Sequence, residues 1–302
     1  MRNFLSIEQL SVKEIQTIIQ TAINEKYALK MGRPQYSKAL YGKILAMIFQ
    51  KPSTRTRISF DVGMRQLGGS TIILNALDMQ LGHGETIADT AKVLSRMVNA
   101  IMLRCYKEEE LLELAQNASI PVVNALTNES HPCQILAAAM TFMEHGKDLN
   151  KSKFTWLGDF NNVTNSYIEL AEKLGFEFII STPEITEKQQ NKLEKAQSIN
   201  SKIIYEKDPQ IAVSGADVII TDTWVSMGDS AKNLEKYIPY QVNTKITPFA
   251  KKDFIFSHCL PAHRGEEVTN EIIDGKHSIV FDEAENRLHV QKAILLYMFG
   301  II

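Results

Sequence analysis

Short apolar runs alternate with helix-patterned stretches along most of the chain, and this alternation limits the fold more than any other feature. The first run, Ile44 to Phe49, is bounded by Gly42 and Pro52 and has the length of a buried strand. Runs at 70–76, 99–104 and 121–125 follow it, separated by helix-patterned stretches at 54–67, 85–98 and 107–118. A second series of runs lies at 153–159, 176–182, 201–206, 216–222, 254–259 and 278–283, with helical stretches at 163–174 and 186–198 among them. Strands separated by helices pair in parallel, because the helix provides the crossover, and their sheets are covered on both faces. So many strands exceed one comfortable sheet. The expected class is therefore α/β, with two tandem domains, each a parallel sheet flanked by helices. Residues 131–146 are helical and join the two series, and a last helix from about 285 is expected to return to the first domain. The expected division is 1–145 plus 286–302 for the first domain and 146–285 for the second.

The chain has 302 residues, of which 33 are Lys or Arg and 35 are Asp or Glu, for a net charge of -2. A charge so near neutral argues against a nucleic-acid surface or a polybasic membrane patch. An anionic substrate then needs a local cluster of positive groups. Cys105, Cys133 and Cys259 are few, odd in number and without CxxC spacing, which points to neither a disulfide framework nor a zinc site and fits a reducing cytoplasm. The opening residues meet Glu8 before any signal-peptide core can form. The apolar run from Ala293 is about half of what a membrane span needs, so it is read as a buried helix.

In open parallel sheets, ligands bind beyond the carboxyl ends of strands, beside helix N-termini. Lys51-Pro52-Ser53-Thr54-Arg55-Thr56-Arg57 follows the first strand and opens a helix. Free backbone N–H groups, three hydroxyls and the planar fork of Arg55 converge there, which suits a phosphate. A helix cap followed by solvated arginines is the alternative reading. Arg104 ends the third run, and His131-Pro132-Cys133-Gln134 opens the helix after the fourth. In the second half, Asp159 to Asn162 and Asp222 to Gly228 follow strands. Asp222 suits an ammonium group, and Asn162, Ser226 and Met227 suit the ends of an amino acid; a plain N-cap is the alternative for the Asp. Cys259, in the string from His258 to Glu267, reads as nucleophile, metal ligand or packing residue.

Together these strings resemble the transcarbamylase family. FQKPSTRTRISF, MQLGHGETIADTAKVLSRM, HPCQ, GDFNNVTNS, DTWVSMG, HCLPAHRGEEV and FDEAENR look like that family's blocks, in its order. STRTR with HPCQ marks the family, and SMG with HCLPAHRGEEV marks its ornithine branch. The aspartate branch carries a lysine in the loop equivalent to residues 78–86, where this chain has none. Branches acting on N-acetylornithine or putrescine differ in the phosphate loop or at SMG. Asp61 and Phe160 depart from the usual residues of their blocks, and Phe160 is expected to alter the packing of loop 158–163.

The resemblance implies transfer of a carbamoyl group from carbamoyl phosphate to the side-chain amine of L-ornithine, without cofactor or metal. It implies that Ser53, Thr54, Arg55, Thr56 and Arg287 bind the phosphate, with Gln80 reaching in from a neighbouring subunit of a homotrimer or an assembly of trimers. Arg104, His131, Pro132, Cys133 and Gln134 would hold the carbamoyl end, and Cys259 and Leu260 would line both substrates. Asn162, Asp222, Ser226 and Met227 would bind ornithine. Catalytic roles fall to Arg55, Arg104, His131, Asp222 and Cys259. Besides a transcarbamylase for a related amine such as putrescine, two other readings compete. One is a silent, regulatory family member, which should have lost some of these residues. The other is a dinucleotide-dependent dehydrogenase, which should carry GxGxxG after a strand; neither condition is met.

Overall fold

β1 (Ile44–Phe49) is almost wholly buried and pairs in parallel with β2 (Ser70–Asn75) on one side and β3 (Ala100–Arg104) on the other. The structure, a computed structural model, describes residues 2–76, 79–80, 84–225 and 233–302. β4 (Val122–Leu126) pairs in parallel with β3, completing a sheet of order β2-β1-β3-β4. Its helices are α1 (Val12–Lys30), α2 (Thr54–Gln66), α3 (Ile87–Leu94), α4 (Glu108–Asn117) and the start of α5 (Pro132–Glu144). Ser11 caps α1 in a capping box with Glu14. Ala46, Ile48, Ile101, Leu103, Leu111 and Val122 form part of one apolar core of this sheet and its covering helices. Phe4 adds a single parallel bridge to Val123, so the N-terminal segment covers the outer edge of β4.

The second sheet comprises β5 (Lys153–Leu157), β6 (Glu177–Ser181), β7 (Ile203–Tyr205), β8 (Val218–Thr221) and β9 (Ile255–His258), all parallel, in the order β7-β6-β5-β8-β9. α6 (Asn162–Leu174), α7 (Glu187–Ile199), α8 (Pro209–Val213) and α9 (Asn270–Ile273) accompany it. One face is aromatic: Phe142, Phe154, Phe176, Phe178 and Tyr167 sit with ring centroids 4.7–6.5 Å apart. The opposite core is mainly aliphatic, with Leu157, Val213, Ile219, Val242 and Val268 joined by Phe254 and Phe256.

One expected strand is absent. Residues 278–283 make a single bridge, Ser278 to Phe256, and then enter α10 (Val280–Met298). Asp282 and Glu283 fall in the first turn of that helix, where acidic groups meet the positive end of the helix dipole. The last helix therefore starts several residues before 285. By contacts, the chain divides into residues 1–140 with 285–302, and residues 141–284. In the first unit α10 packs close to α2 at Gly63, where a Cβ would lie 3.3 Å from Lys292 Cγ and 3.7 Å from Leu288 Cδ1. Lys292 itself is buried against Glu25 of α1 at 3.4 Å. No described helix is long and apolar enough to cross a membrane.

Candidate active site

Each sheet reverses its strand order once, between β1 and β3 in the first unit and between β5 and β8 in the second. In sheets of this kind the loops leaving such strands diverge and open a crevice, the usual ligand position.

In the first unit, Ser53 caps α2 by accepting the backbone N–H of Thr56 at 3.3 Å. The cap reading and the ligand reading are thus compatible, since the hydroxyl proton of Ser53 remains available to an acceptor. Thr54 is exposed, Arg55 half-buried and Thr56 buried. Arg287, 3% exposed on α10, donates from Nη1 to Gln134 Oε1 at 2.6 Å and from Nη2 to Thr56 Oγ1 at 3.0 Å. One guanidinium therefore links the helices that follow β1 and β4. Arg104, 6% exposed, stands where the register of β3 on β4 shifts, an irregularity that re-aims the strand end.

These groups meet around His131. Burial, reinforced by repulsion from Arg287, Arg104, Arg55 and Lys51, holds its imidazole well below the usual histidine range. His131 is therefore neutral and can donate one N–H without carrying charge. Pro132 takes the first position of α5, where its missing N–H costs nothing. The thiol of Cys133 donates to the carbonyl of Asn124 at 3.3 Å, and burial pushes it up to about 12. Its side chain is thus a packing element, and only its backbone can face an anion. Gln80 is exposed on the loop after β2.

Lys51 is a member of this cluster that the sequence leaves without a role. It is 5% exposed, donates to Asn128 Oδ1 and lies 4.4 Å from the centroid of the Tyr106 ring. It thereby ties together the loops after β1, β3 and β4. Arg57 instead stacks on Phe49 and donates to Asn75 at 3.0 Å, holding α2 to the end of β2. Asp61 pairs with Arg65 at 3.1 Å and accepts from Thr71, a structural task.

The second unit gathers a different chemistry. Asp222, 8% exposed at the end of β8, accepts the S–H of Cys259 at 3.0 Å on Oδ1 and the amide of Asn161 at 2.8 Å on Oδ2. Asn161 also caps α6, accepting from the N–H groups of Val163 and Thr164. The neighbouring Asn162 is half-buried on the first turn of that helix. Asn161 was thus missed, although the side chain preceding a helix is the one placed to cap it. Phe160 is buried, and its carbonyl accepts from Gln189 at 2.9 Å, so loop 158–163 keeps its cap. Asp159 accepts from the Tyr237 hydroxyl at 2.9 Å. Ser226 and Met227 lie outside the described residues.

Asp222, His258 and Cys259 offer ligand atoms within 4.8 Å of one another. Both nitrogens of His258 are engaged, however: Nδ1 accepts from Leu260 N–H at 2.9 Å and Nε2 faces Glu267 Oε1 at 3.1 Å. That ring has no lone pair to give a metal. Of the three thiols only Cys259 is partly exposed; the Cys105 thiol, like that of Cys133, is pushed up to about 12 by burial.

Fold and sites define a two-unit α/β class in which one sheet carries a cationic crevice and the other an acidic, thiol-bearing one. Comparison with known proteins agrees. Family models match residues 2–144 as the carbamoyl-P binding domain and residues 150–298 as the Asp/Orn binding domain of aspartate/ornithine carbamoyltransferases. The ornithine carbamoyltransferase of Brucella ovis is 51% identical over 299 residues, covering 98% of this chain and 95% of that protein. The solved structure of ornithine carbamoyltransferase from Pyrococcus furiosus matches with a TM-score of 0.94 at 46% identity, covering 100% of this chain and 98% of that one. An anabolic ornithine carbamoyltransferase from Campylobacter jejuni matches at a TM-score of 0.91 and 38% identity, covering 100% of both chains. The chain belongs to the aspartate/ornithine carbamoyltransferase family.

Proposed function

We propose that the chain transfers the carbamoyl group of carbamoyl phosphate to the side-chain amine of L-ornithine, giving L-citrulline and phosphate. The observation that carries this reading is the convergence of Arg55, Arg104, Arg287 and Lys51 on a neutral, buried His131. A cation cluster suits the phosphate, and an uncharged N–H donor suits a carbonyl oxygen that becomes negative only in the tetrahedral state.

Ser53, Thr54, Arg55 and Thr56 bind the phosphoryl oxygens, aided by the N-terminus of α2. Arg287 acts here while holding Gln134 and Thr56 in place. Arg104, His131 and Gln134 direct the carbamoyl group, Pro132 shapes the turn, and Cys133 contributes through its backbone. Each well-placed donor to the developing oxyanion contributes about 2.7–4 kcal/mol.

An alkyl amine has a pKa of about 10.4 in water, so the site must take up or create the neutral form. Asp222, with Cys259 beside it and Asn161 behind it, steers the side-chain amine. Leu260 lines the carbamoyl side, and Asn162, Ser226 and Met227 hold the amino-acid end. The amine nitrogen forms the new C–N bond, the C–O bond to phosphate breaks, and the proton lost from nitrogen leaves on the phosphate. Orientation of the two substrates supplies roughly 7–11 kcal/mol, so no general base has to dominate.

The family's homotrimeric assembly, with Gln80 serving a neighbouring subunit, is part of the proposal. The exposure of Gln80 and of Ile58, Ile72, Ile73, Val93 and Met97 on α2, β2 and the region of α3 supports it. A cytoplasmic setting fits three cysteines that form no disulfide. Steady-state assays with carbamoyl phosphate and, in turn, ornithine, putrescine and aspartate test the function: only ornithine should give efficient phosphate release. A preference for putrescine or aspartate would overturn it.

A further inference from the structure

Among the described residues, Leu260 is the one non-glycine with positive φ, at 56°. A leucine in the left-handed region is disfavoured and persists only where its surroundings hold it. Here the holding group is identifiable. The N–H of Leu260 donates to Nδ1 of His258 at 2.9 Å. A backbone N–H can only donate, so Nδ1 is unprotonated and the ring proton of the neutral form sits on Nε2. That Nε2–H donates to Glu267 Oε1 at 3.1 Å, and the same oxygen accepts the N–H of His263 at 2.6 Å. His258 is 1% and Glu267 0% exposed. One carboxylate oxygen therefore fastens both ends of the loop after β9. Between them stands Cys259, its Sγ on Asp222.

We infer that His258 and Glu267 are positioning residues: Glu267 fixes the Nε2–H tautomer of His258, and its Nδ1 sets the Leu260 backbone so that Cys259 is directed at Asp222. Neither side chain touches substrate. The inference deepens the proposed reading of the amine site and rests on it for its kinetic consequence, though not for its structural one.

Two substitutions separate the nitrogens. His258→Asn keeps an acceptor near the position of Nδ1 and gives up the link to Glu267. His258→Gln keeps a group near Nε2 and leaves the Leu260 N–H without its acceptor. Iodoacetamide modification, followed by mass spectrometry at Cys259, reports the placement of that thiol without reference to turnover. The rate should stay within about twofold of the parent in His258→Asn and change at least fivefold in His258→Gln. The KM for ornithine should follow the same order, rising at least tenfold in the Gln protein and less than threefold in the Asn protein, with the KM for carbamoyl phosphate steady in both.

Equal alkylation rates in all three proteins, or parallel loss of melting temperature and of both KM values, would overturn the inference. If alkylation follows the expected order but the parent protein does not use ornithine, the substrate reading falls and the positioning role stands. Should either variant fail to fold, the imidazole nitrogen-15 shifts of the parent protein decide. They should show a neutral His258 protonated on Nε2, and a ring protonated on Nδ1 would overturn the inference.

Discussion

The two crevices stand on the same plan and carry opposite chemistry. Each lies where a parallel sheet reverses its strand order, and each borders a helix capped by a short polar side chain, Ser53 on α2 and Asn161 on α6. In the first unit the strand ends bring in Arg55, Arg104 and, from α10, Arg287. In the second they bring in Asp222 and Cys259. The backbone plan supplies a strand end beside a helix N-terminus; the side chains decide whether it welcomes an anion or an amine. The difference also shows in the histidines. His131 is surrounded by cations and kept neutral by burial and repulsion, whereas His258 is held between a backbone N–H and a carboxylate.

This contrast can be broken by mutation, most sharply in the cationic crevice. Arg55→Gly should lower kcat/KM by about 10³ or more, since it removes a charged donor from the phosphate and from the charge that develops on it. Near-normal activity would withdraw Arg55 from the site. Cys259→Ala leaves the cations intact and should cost about 10- to 100-fold, as expected for a misplaced rather than missing reaction partner. The loss should fall on ornithine KM and on kcat, with carbamoyl phosphate binding unchanged; unchanged ornithine kinetics would remove the thiol from the amine site.

The histidine contrast gives a smaller, pH-dependent effect. The folded pKa of His131 is depressed, so the unfolded chain takes up a proton that the folded protein refuses. Its contribution to stability is complete above about pH 6.5 and is lost as the pH falls below that value, by about 1.4 kcal/mol per pH unit until the folded pKa is reached. His289 is depressed as well, chiefly by burial, and adds in the same direction. Denaturant unfolding of His131→Asn between pH 7 and pH 5 should show a shallower decline than the parent; parallel curves would contradict a buried neutral imidazole. Smallest of all, Ser53→Ala and Asn161→Ala should each cost about 1 kcal/mol by loss of a cap. Only the second should also disturb ornithine kinetics, because Asn161 holds Asp222.

Much of this organisation is legible in the residues. Each buried strand is a short apolar run, and Arg55, Arg104, His131, Asp222 and Cys259 each end one or follow one within a few positions. Run 278–283 reads as a strand yet opens a helix because Ile279, Val280 and Phe281 fit either period, and the acidic pair after them favours a helix start. Asn161 was hidden beside Asn162, since either can cap on sequence alone, and the backbone makes the choice. The task of Lys51 was not legible because it depends on Tyr106 and Asn128, which are joined to it only by the pairing of strands. The bonds from Arg287 to Thr56 and Gln134 span 231 and 153 residues, and no local pattern announces contacts of that range.

That range has a consequence for biosynthesis. As the chain leaves the ribosome, β1 to β4 and their helices emerge well before residue 287 exists, and domains tend to fold as they appear. Until α10 is made, Thr56 and Gln134 lack the guanidinium that joins them. The link between the helices that follow β1 and β4 is therefore withheld from every nascent chain until residue 287 has been translated.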